Sequence, residues 1–91
     1  MDKVRIKEVI VVEGRDDTAA VQKAVDALII ETHGFGISKE TWKLLTKAYE
    51  EKGLIIMTDP DFSGEEIRKR ISEKFPKSKH VYMPRKKAKK G

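Results

Sequence analysis

The strongest constraint on the fold comes from two short apolar runs without polar alternation, at residues 9–12 and 54–57. A strand with one face in water alternates apolar and polar residues, whereas a parallel strand covered on both faces is apolar throughout. Both runs are also rich in β-branched residues, which favour strands. They therefore predict two buried strands of a parallel sheet within an α/β domain.

Two further apolar runs, at residues 28–30 and 81–83, predict the other strands of a four-stranded sheet. Apolar residues recur at helical spacing between the runs, which predicts a helix in each intervening segment. These residues are Val21, Ala24, Val25 and Leu28, then Trp42, Leu45 and Tyr49, then Ile67, Ile71 and Phe75. The resulting order, βαβαβαβ, favours a mostly parallel sheet with helices on both faces.

Two serine residues are placed to begin helices. Ser38 precedes the second apolar stripe and is predicted to cap that helix, which Gly53 would end. Ser63 starts the sequence Ser-Gly-Glu-Glu, which has the pattern of a capping box. Phe62 and Ile67 would then form the hydrophobic staple of the third helix.

Length and composition exclude several classes of protein. The chain has 91 residues, which suits one small domain. It has no cysteine, so disulfides and thiolate metal sites are excluded. The N-terminus lacks the apolar core of a signal peptide, and no segment approaches the length of a membrane span. We therefore expect a soluble cytoplasmic protein without a membrane partner.

The formal net charge of +5 comes from the end of the chain. Residues 85–91 hold five of the 20 basic residues and no acid, and the basic residues before them equal the 15 acidic ones in number. We therefore predict a domain at residues 1–84 and a basic tail at residues 85–91. The tail either contacts phosphate or is a solvated linker, truncated before a further C-terminal region that binds RNA.

Acidic residues follow two of the predicted strands. Glu13 follows the first strand, and Asp59 and Asp61 follow the third. Sites in parallel α/β sheets form beyond the carboxyl ends of the strands, so these carboxylates meet if the strands are neighbours. Crowded carboxylates repel one another unless a cation lies between them, and oxygen ligands without His or Cys suit Mg²⁺.

Each acidic residue also has a simpler interpretation. Asp16 and Asp17 follow at the start of the first helix, and at least one of them is expected to cap that helix. The sequence Asp59-Pro60-Asp61 also suits an ordinary turn. A turn does not explain Glu13, which ends an apolar strand where burying a carboxylate is unfavourable.

Other residues near the same edge are candidate substrate contacts. His33 lies in a glycine-containing loop after the second strand and is either a surface histidine or a contact to substrate. Glycines there either let a phosphate approach the backbone or only form the turn. The candidate substrate-binding residues are Gly14, Asp16, His33, Gly34, Gly64 and Arg68.

The combination of Glu13 with Asp59 and Asp61 resembles the Toprim domain, which topoisomerases, bacterial primases, recombination-repair proteins and small nucleases share. That family has a glutamate after strand one and an Asp-x-Asp pair after strand three. The resemblance covers residues 7–84. It implies a Rossmann-like, three-layer α/β fold with a central, mostly parallel four-stranded sheet flanked by helices.

Within this family, residues 7–14, 16–20 and 59–65 are similar to the bacterial nucleases that mature 5S ribosomal RNA. The similarity implies a Mg²⁺-dependent endoribonuclease, with Mn²⁺ as an alternative ion, that cleaves precursor 5S rRNA with help from a ribosomal protein binding 5S rRNA. It implies Asp59 and Asp61 as metal ligands. Glu13 would be a third ligand or the acid–base group. Those nucleases have a further C-terminal region beyond the length of this chain.

Three alternatives remain at this point. One is the Toprim domain of another nucleic-acid enzyme, such as a primase, topoisomerase or repair protein. Another is a phospho-receiver module, which also has acids after strands one and three. Receivers need a fifth βα unit and a lysine near the last strand, and Lys79 precedes that strand on the wrong edge. The third is a non-catalytic nucleic-acid binding platform.

Overall fold

The computed structural model describes residues 3–84. The elements are, in chain order, β1 (Val4–Arg5), β2 (Val9–Val12), α1 (Arg15–Gln22), β3 (Val25–Asp26), β4 (Ile29–Glu31), α2 (Lys39–Glu51), β5 (Leu54–Thr58), α3 (Phe62–Lys74) and β6 (Lys79–Tyr82). The predicted basic tail, residues 85–91, lies outside the described residues. No helix within residues 3–84 is long and apolar enough to cross a membrane.

The central sheet has four parallel strands in the order β4-β2-β5-β6. Val11 of β2 is in register with Ile30 of β4 on one side and with Ile56 of β5 on the other. The predicted parallel sheet is therefore confirmed, and β2 and β5 are neighbours, which is the condition for their acidic residues to meet. Because both strands run in the same direction, their carboxyl ends share one edge of the sheet.

The sheet is covered on both faces, which confirms the three-layer α/β fold. Val9 and Val11 of β2 belong to a buried cluster that includes Leu45 of α2 and Ile67 of α3. The alternate residues of β2 face the other way and pack in a second cluster with Val21 of α1. This alternation explains why β2 is apolar at every position. Trp42 and Tyr49 pack at the border of the first cluster, as expected.

The prediction for the first helix was wrong at its carboxyl end. Val21 is buried, but α1 ends at Gln22 and the chain then forms β3. Val25 of β3 pairs with Val4 of β1 in a separate two-stranded parallel sheet, and Leu28 is 63% exposed. The helical spacing was accidental here, because strands of two residues are too short to leave a periodic pattern.

The boundaries of two predicted strands also shift. Strand β4 begins at Ile29 and ends at Glu31, one residue later than predicted. Strand β6 begins at Lys79, two residues earlier, and all four of its residues are exposed. It is one of the two edge strands of the sheet, and its polar first residues conceal it from a search for apolar runs.

Helix α2 begins and ends as predicted. Ser38 Oγ accepts a hydrogen bond from Thr41 N at 3.1 Å, which caps the first turn. After the last turn, Gly53 has a φ of +90° and donates its N–H to Ala48 O at 2.9 Å. Glycine suits this left-handed position after a helix, and it returns the chain directly into β5.

The predicted start of α3 was wrong. Its N-cap is Asp61, whose Oδ1 accepts a hydrogen bond from Gly64 N at 2.7 Å. Ser63 lies within the first turn, and Phe62 is 81% exposed, so it forms no staple with Ile67. A carboxylate in an extended position before the helix provides an equally good cap, and it attracts the positive helix end more strongly.

Candidate functional site

Three acidic side chains meet where β2 and β5 end. Val11 of β2 is paired with Ile56 of β5. Glu13 lies two residues after Val11, and Asp59 lies three residues after Ile56, so the two acids extend from the same edge. Partial burial raises the pKa of the Glu13 carboxyl, and the charges of Asp17, Asp61 and Asp59 raise it further. The structure therefore brings these four carboxylates within electrostatic range of one another.

The backbone around Glu13 is held by the loop after β4. Glu13 O accepts a hydrogen bond from His33 N at 2.7 Å, and Val12 O accepts one from Thr32 N at 2.9 Å. These two hydrogen bonds continue the parallel pairing of β2 and β4 past the ends of both strands. His33 has a φ of +61°, which lets the chain turn away immediately afterwards. Glu13 thus has a fixed backbone and a side chain that is only partly buried.

The turn between Asp59 and Asp61 is joined to the start of α3. Asp61 N donates to Asp59 O at 2.9 Å, while Asp61 Oδ1 accepts from Gly64 N. Gly64 is buried against the same turn, and a Cβ there would lie 2.2 Å from Asp59 O. Only glycine fits that contact, so Gly64 sets the position of both aspartates.

The first turn of α1 contributes two more carboxylates. Asp17 Oδ2 accepts a hydrogen bond from Gly14 N at 3.2 Å, which gives Asp17 the expected capping role. Asp16 lies beside it on an open cleft between α1 and the β5–α3 turn. The cleft is lined by Asp16, Asp17, Ala20, Asp59, Pro60, Asp61, Met83 and Pro84. Four aspartates on one cleft produce a negative potential that attracts cations.

The chain was compared with known protein families and with solved structures. The model of the Toprim domain matches residues 8–86.

The chain belongs to the Toprim domain family. Its structure is similar to that of a small TOPRIM domain protein from Bacillus stearothermophilus, with a TM-score of 0.71 and 31% sequence identity. That alignment covers 89% of this chain and 70% of the other.

Curated relatives of this Toprim chain share one name. Ribonuclease M5 1 of Ligilactobacillus salivarius is 54% identical over 82 residues, which are 90% of this chain and 43% of that protein. Ribonuclease M5 of Bacillus subtilis is 52% identical over 82 residues, with 90% and 44% covered. The chain therefore spans less than half the length of these relatives.

The carboxylates that follow β2 and β5 suit a hydrated cation better than a closed cage of protein ligands. Within residues 3–84, no three acidic or histidine side chains are already arranged to hold a metal ion. Asp17 and Asp61 each use one oxygen to cap a helix. Mg²⁺ keeps several waters and needs only one or two carboxylates together with substrate phosphates. The oxygen donors at this edge fit that requirement.

We call the edge that carries Glu13, Asp17, Asp59 and Asp61 the acidic edge. The glycines and His33 have different settings near it. Cβ atoms at Gly14 and Gly34 would meet nothing within 4 Å, so the backbone there is open to an approaching group. Gly34 has a φ of +101°, which favours glycine at that turn. The exposed His33 ring lies 3.6 Å from Glu31. Gly64, by contrast, is buried.

Arg68 lies inside the protein, with only 5% of the residue exposed. Its Nη2 donates to Thr58 Oγ1 at 3.0 Å and to Val81 O, and its Nη1 lies 2.9 Å from His80 Nδ1. The guanidinium also stacks on the ring of Tyr82, 4.0 Å from its centroid. These contacts connect α3 to β6 next to Thr58, the last residue before the acidic turn.

The sequence analysis missed Glu31 at this edge. Glu31 is the last residue of β4 and pairs with Val12, so it lies beside the end of β2. Its carboxylate accepts a hydrogen bond from Thr18 Oγ1 and lies near His33. The signal was present, since an acid also follows the apolar residues of this strand.

Proposed function

We propose that this Toprim domain is the catalytic part of a Mg²⁺-dependent endoribonuclease that hydrolyses phosphodiesters in precursor 5S rRNA. The observation that carries the proposal is the identity of about one residue in two with proteins named Ribonuclease M5. It is supported by the carboxylates of Glu13, Asp59 and Asp61, which follow the two central strands and lie within electrostatic range of one another.

The proposed metal ligands are Asp59 and Asp61, with Glu13 as a third ligand or as the acid–base group. When bound, Mg²⁺ or Mn²⁺ would offset the phosphate charge and lower the pKa of a bound water. Asp61 is supported by its orientation: Oδ1 is fixed by Gly64 N, and Oδ2 accepts no hydrogen bond within residues 3–84. A helix cap thereby holds one carboxylate oxygen in a defined place for a ligand.

In the alternative role, Glu13 exchanges a proton with an oxygen of the scissile phosphate. The fixed backbone of Glu13 supports this role, because acid–base groups must be held within hydrogen-bond reach of the reacting atom. Asp16 and Asp17 border the same cleft and would repel a phosphate that approached without a cation. Substrate binding at this edge is therefore expected to depend on the metal.

The substrate and partner also belong to the proposal. The remaining half of the relatives' length is expected to carry specificity for precursor 5S rRNA, with a 5S-binding ribosomal protein as an assisting partner. The proposed location is the cytoplasm. A phospho-receiver gains no support, because Lys79 lies at the amino end of β6 and its Nζ is hydrogen-bonded to Glu8.

A domain exchange tests the proposal with this chain's own residues. Residues 1–84 replace the matching part of the Bacillus subtilis Ribonuclease M5, and the chimera is incubated with precursor 5S rRNA and the ribosomal protein. We expect cleavage with Mg²⁺, none with EDTA, and none in an Asp59→Asn/Asp61→Asn variant. An intact, folded chimera that binds the RNA but leaves it uncut with Mg²⁺ and with Mn²⁺ contradicts the proposal.

A further inference from the structure

Helix α3 carries a charged residue on its buried face. The buried residues of this helix are Gly64, Ile67, Arg68 and Ile71. Ile67 and Ile71 belong to the apolar core, whereas Arg68 contacts β5 and β6. A buried position is ordinarily apolar, because a charge removed from water loses its hydration. The presence of Arg68 at this position therefore needs a reason other than core packing.

The surroundings of Arg68 are poorly suited to stabilise the fold. Among residues 3–84, no carboxylate lies within ion-pair distance of its guanidinium. Its Nε is buried and has no hydrogen-bond partner in that part of the chain. A buried cation without an anion and a buried donor without an acceptor both cost free energy, and the stacking on Tyr82 offsets only part of that cost. Stability alone would favour an apolar side chain of similar volume.

The guanidinium holds the last residue of β5. Arg68 Nη2 donates to Thr58 Oγ1 at 3.0 Å, and water has little access to this bond because Thr58 is only 1% exposed. The same nitrogen donates to Val81 O. Nη1 donates to His80 Nδ1 at 2.9 Å, since a guanidinium has only donors. Arg68 therefore joins the carboxyl end of β5 to the neighbouring strand β6.

The residue that Arg68 holds is directly followed by Asp59, so the guanidinium acts next to the acidic edge. Gly64 lies four residues before Arg68, on the same face of α3, and packs against the carbonyl group of Asp59. One face of α3 thus fixes the backbone of Asp59 on both sides, through Thr58 and through Gly64. Asp61 belongs to the same turn, because its N–H donates to Asp59 O at 2.9 Å.

We propose that Arg68, acting through Thr58, is a positioning residue that holds the two proposed aspartate ligands in the arrangement that binds a divalent cation. The inference rests on the proposed function, since that function assigns the metal to these aspartates. Arg68 contacts neither metal nor RNA in this role. Ligands that are already held in place lose less freedom when the ion binds, so their support increases the affinity. This role explains a charged side chain at a position that packing alone would fill with an apolar one.

Two substitutions separate this role from a purely structural one, because each removes one hydrogen-bond acceptor of the same guanidinium. Thr58→Val keeps the shape of the side chain and removes the bond beside the acidic turn. His80→Val is the matched control, since it removes a bond on β6 and leaves the bond to Thr58. Arg68→Lys keeps the charge but loses the planar group that reaches both strands. Circular dichroism and urea unfolding verify the fold of each variant.

The 91-residue chain is titrated with Mn²⁺, and binding is followed by the relaxation of water and by the electron paramagnetic resonance spectrum of the bound ion. We expect Thr58→Val and Arg68→Lys each to weaken Mn²⁺ binding about threefold or more, which is typical of substitutions that act on a site through a packed neighbour. The spectrum should broaden, because ligands held less firmly take several arrangements around the ion. His80→Val should leave both the affinity and the spectrum unchanged.

Hydrogen exchange in EDTA detects the same effect without the metal. The amide of Asp61, which donates to Asp59 O, should exchange faster in Thr58→Val and Arg68→Lys than in the unchanged chain, and His80→Val should not alter its rate. The double variant Thr58→Val/Arg68→Lys should bind Mn²⁺ no more weakly than the weaker-binding single variant, because both substitutions break one and the same hydrogen bond.

Unchanged Mn²⁺ affinity in Thr58→Val, or equal losses in Thr58→Val and His80→Val, would show that Arg68 only joins the strands and would overturn the positioning role. Additive losses in the double variant would overturn it as well. If Arg68→Lys does not fold, the comparison of Thr58→Val with His80→Val decides the question alone. An unchanged chain that binds no Mn²⁺ would overturn the metal site and this role together.

Failure of the proposed function has a different signature. In that case the chimera leaves precursor 5S rRNA uncut, although Mn²⁺ binding and amide exchange in the 91-residue chain respond to Thr58→Val and Arg68→Lys as expected.

Discussion

Gly64 and Asp59 are packed so closely that a Cβ at position 64 would lie 2.2 Å from the Asp59 carbonyl oxygen. The same glycine donates its N–H to the carboxylate of Asp61. Gly64 thus contacts both aspartates of the Asp-x-Asp motif. It packs against the backbone of Asp59 and donates a hydrogen bond to the side chain of Asp61. The geometry of the proposed metal ligands therefore depends on a buried glycine.

Gly64→Ala is expected to destabilise the domain by about 1–3 kcal/mol, because the methyl group must displace backbone rather than a flexible side chain. It should also weaken Mn²⁺ binding, since the turn has to move. Gly36→Ala is the matched control, because a Cβ there would meet nothing within 4 Å. Urea unfolding and calorimetry measure the two effects. Equal stability of the two variants would contradict the close contact.

Asp59→Asn and Asp61→Asn are each expected to weaken Mn²⁺ binding about tenfold or more, since even outer-shell partners of metal ligands contribute that factor. Asn caps helices about as well as Asp, so Asp61→Asn should leave α3 folded. Asp26→Asn is the control, since Asp26 pairs with Arg5 on the small sheet. Paramagnetic relaxation of water by Mn²⁺ reports the affinity. Unchanged affinity in the double variant would exclude both residues as ligands.

The sequence was sufficient to predict the layered sheet, because β2 is apolar at every position and β5 is apolar at every position before Thr58. It was insufficient for the small sheet of β1 and β3, where two-residue strands leave no pattern. The edge strand β6 was placed late because its first residues, Lys79 and His80, are polar. Local apolar periodicity thus predicts the centre of the sheet better than its edges.

At the site, the strand ends predicted that Glu13 would lie near Asp59 and Asp61 if their strands were neighbours, and the pairing of β2 with β5 meets that condition. The second role of Asp61, as the N-cap of α3 as well as a proposed metal ligand, was not predictable, because the sequence that starts at Ser63 also has a capping pattern. The burial of Arg68 was not predictable either. The sequence does not distinguish Arg68 from Lys69 and Arg70, and only the packing of α3 on β6 buries Arg68.

An ion pair outside the site should control stability at acidic pH. Lys79 Nζ donates to Glu8 Oε2 at 2.6 Å, and this hydrogen bond is the main cause that lowers the pKa of Glu8 below 4.5. The folded state therefore binds a proton on the Glu8 carboxylate less tightly than the unfolded state does. The stabilisation by this ion pair is present above about pH 4.5 and is lost as the pH falls through the lowered pKa of Glu8 in the folded state.

Glu8→Gln should therefore reduce stability at neutral pH and make unfolding less sensitive to acid, and Lys79→Gln should have the same effect. The double variant should be no worse than either single one, since both remove one interaction. Urea unfolding from pH 3 to 7 measures this, with Glu50→Gln as a control for an exposed acid elsewhere. Strictly additive losses would show that the two residues act independently.

Glu13 should behave in the opposite way. Burial and the neighbouring carboxylates raise its pKa above 4.5, so the folded state binds this proton more tightly than the unfolded state. The charged form therefore opposes folding once the pH exceeds the raised value, and the effect disappears below about pH 4.5. Without metal, Glu13→Gln should make the domain more stable at neutral pH and leave its stability nearly unchanged at acidic pH.

The same substitution should have the reverse effect on function. In the chimera with the second half of the Bacillus subtilis relative, Glu13→Gln retains the size of the side chain but removes its charge and its ability to exchange a proton. We expect most cleavage of precursor 5S rRNA to be lost while RNA binding stays nearly intact, because specificity is assigned to the part of the relative that this chain does not cover. Equal loss of binding and cleavage, with greater stability preserved, would make Glu13 a substrate-binding residue. Near-normal cleavage by the Glu13→Gln chimera would remove Glu13 from the catalytic set and leave Asp59 and Asp61 as the core of the site. The loss of stability caused by the Glu13 charge would then have no catalytic explanation.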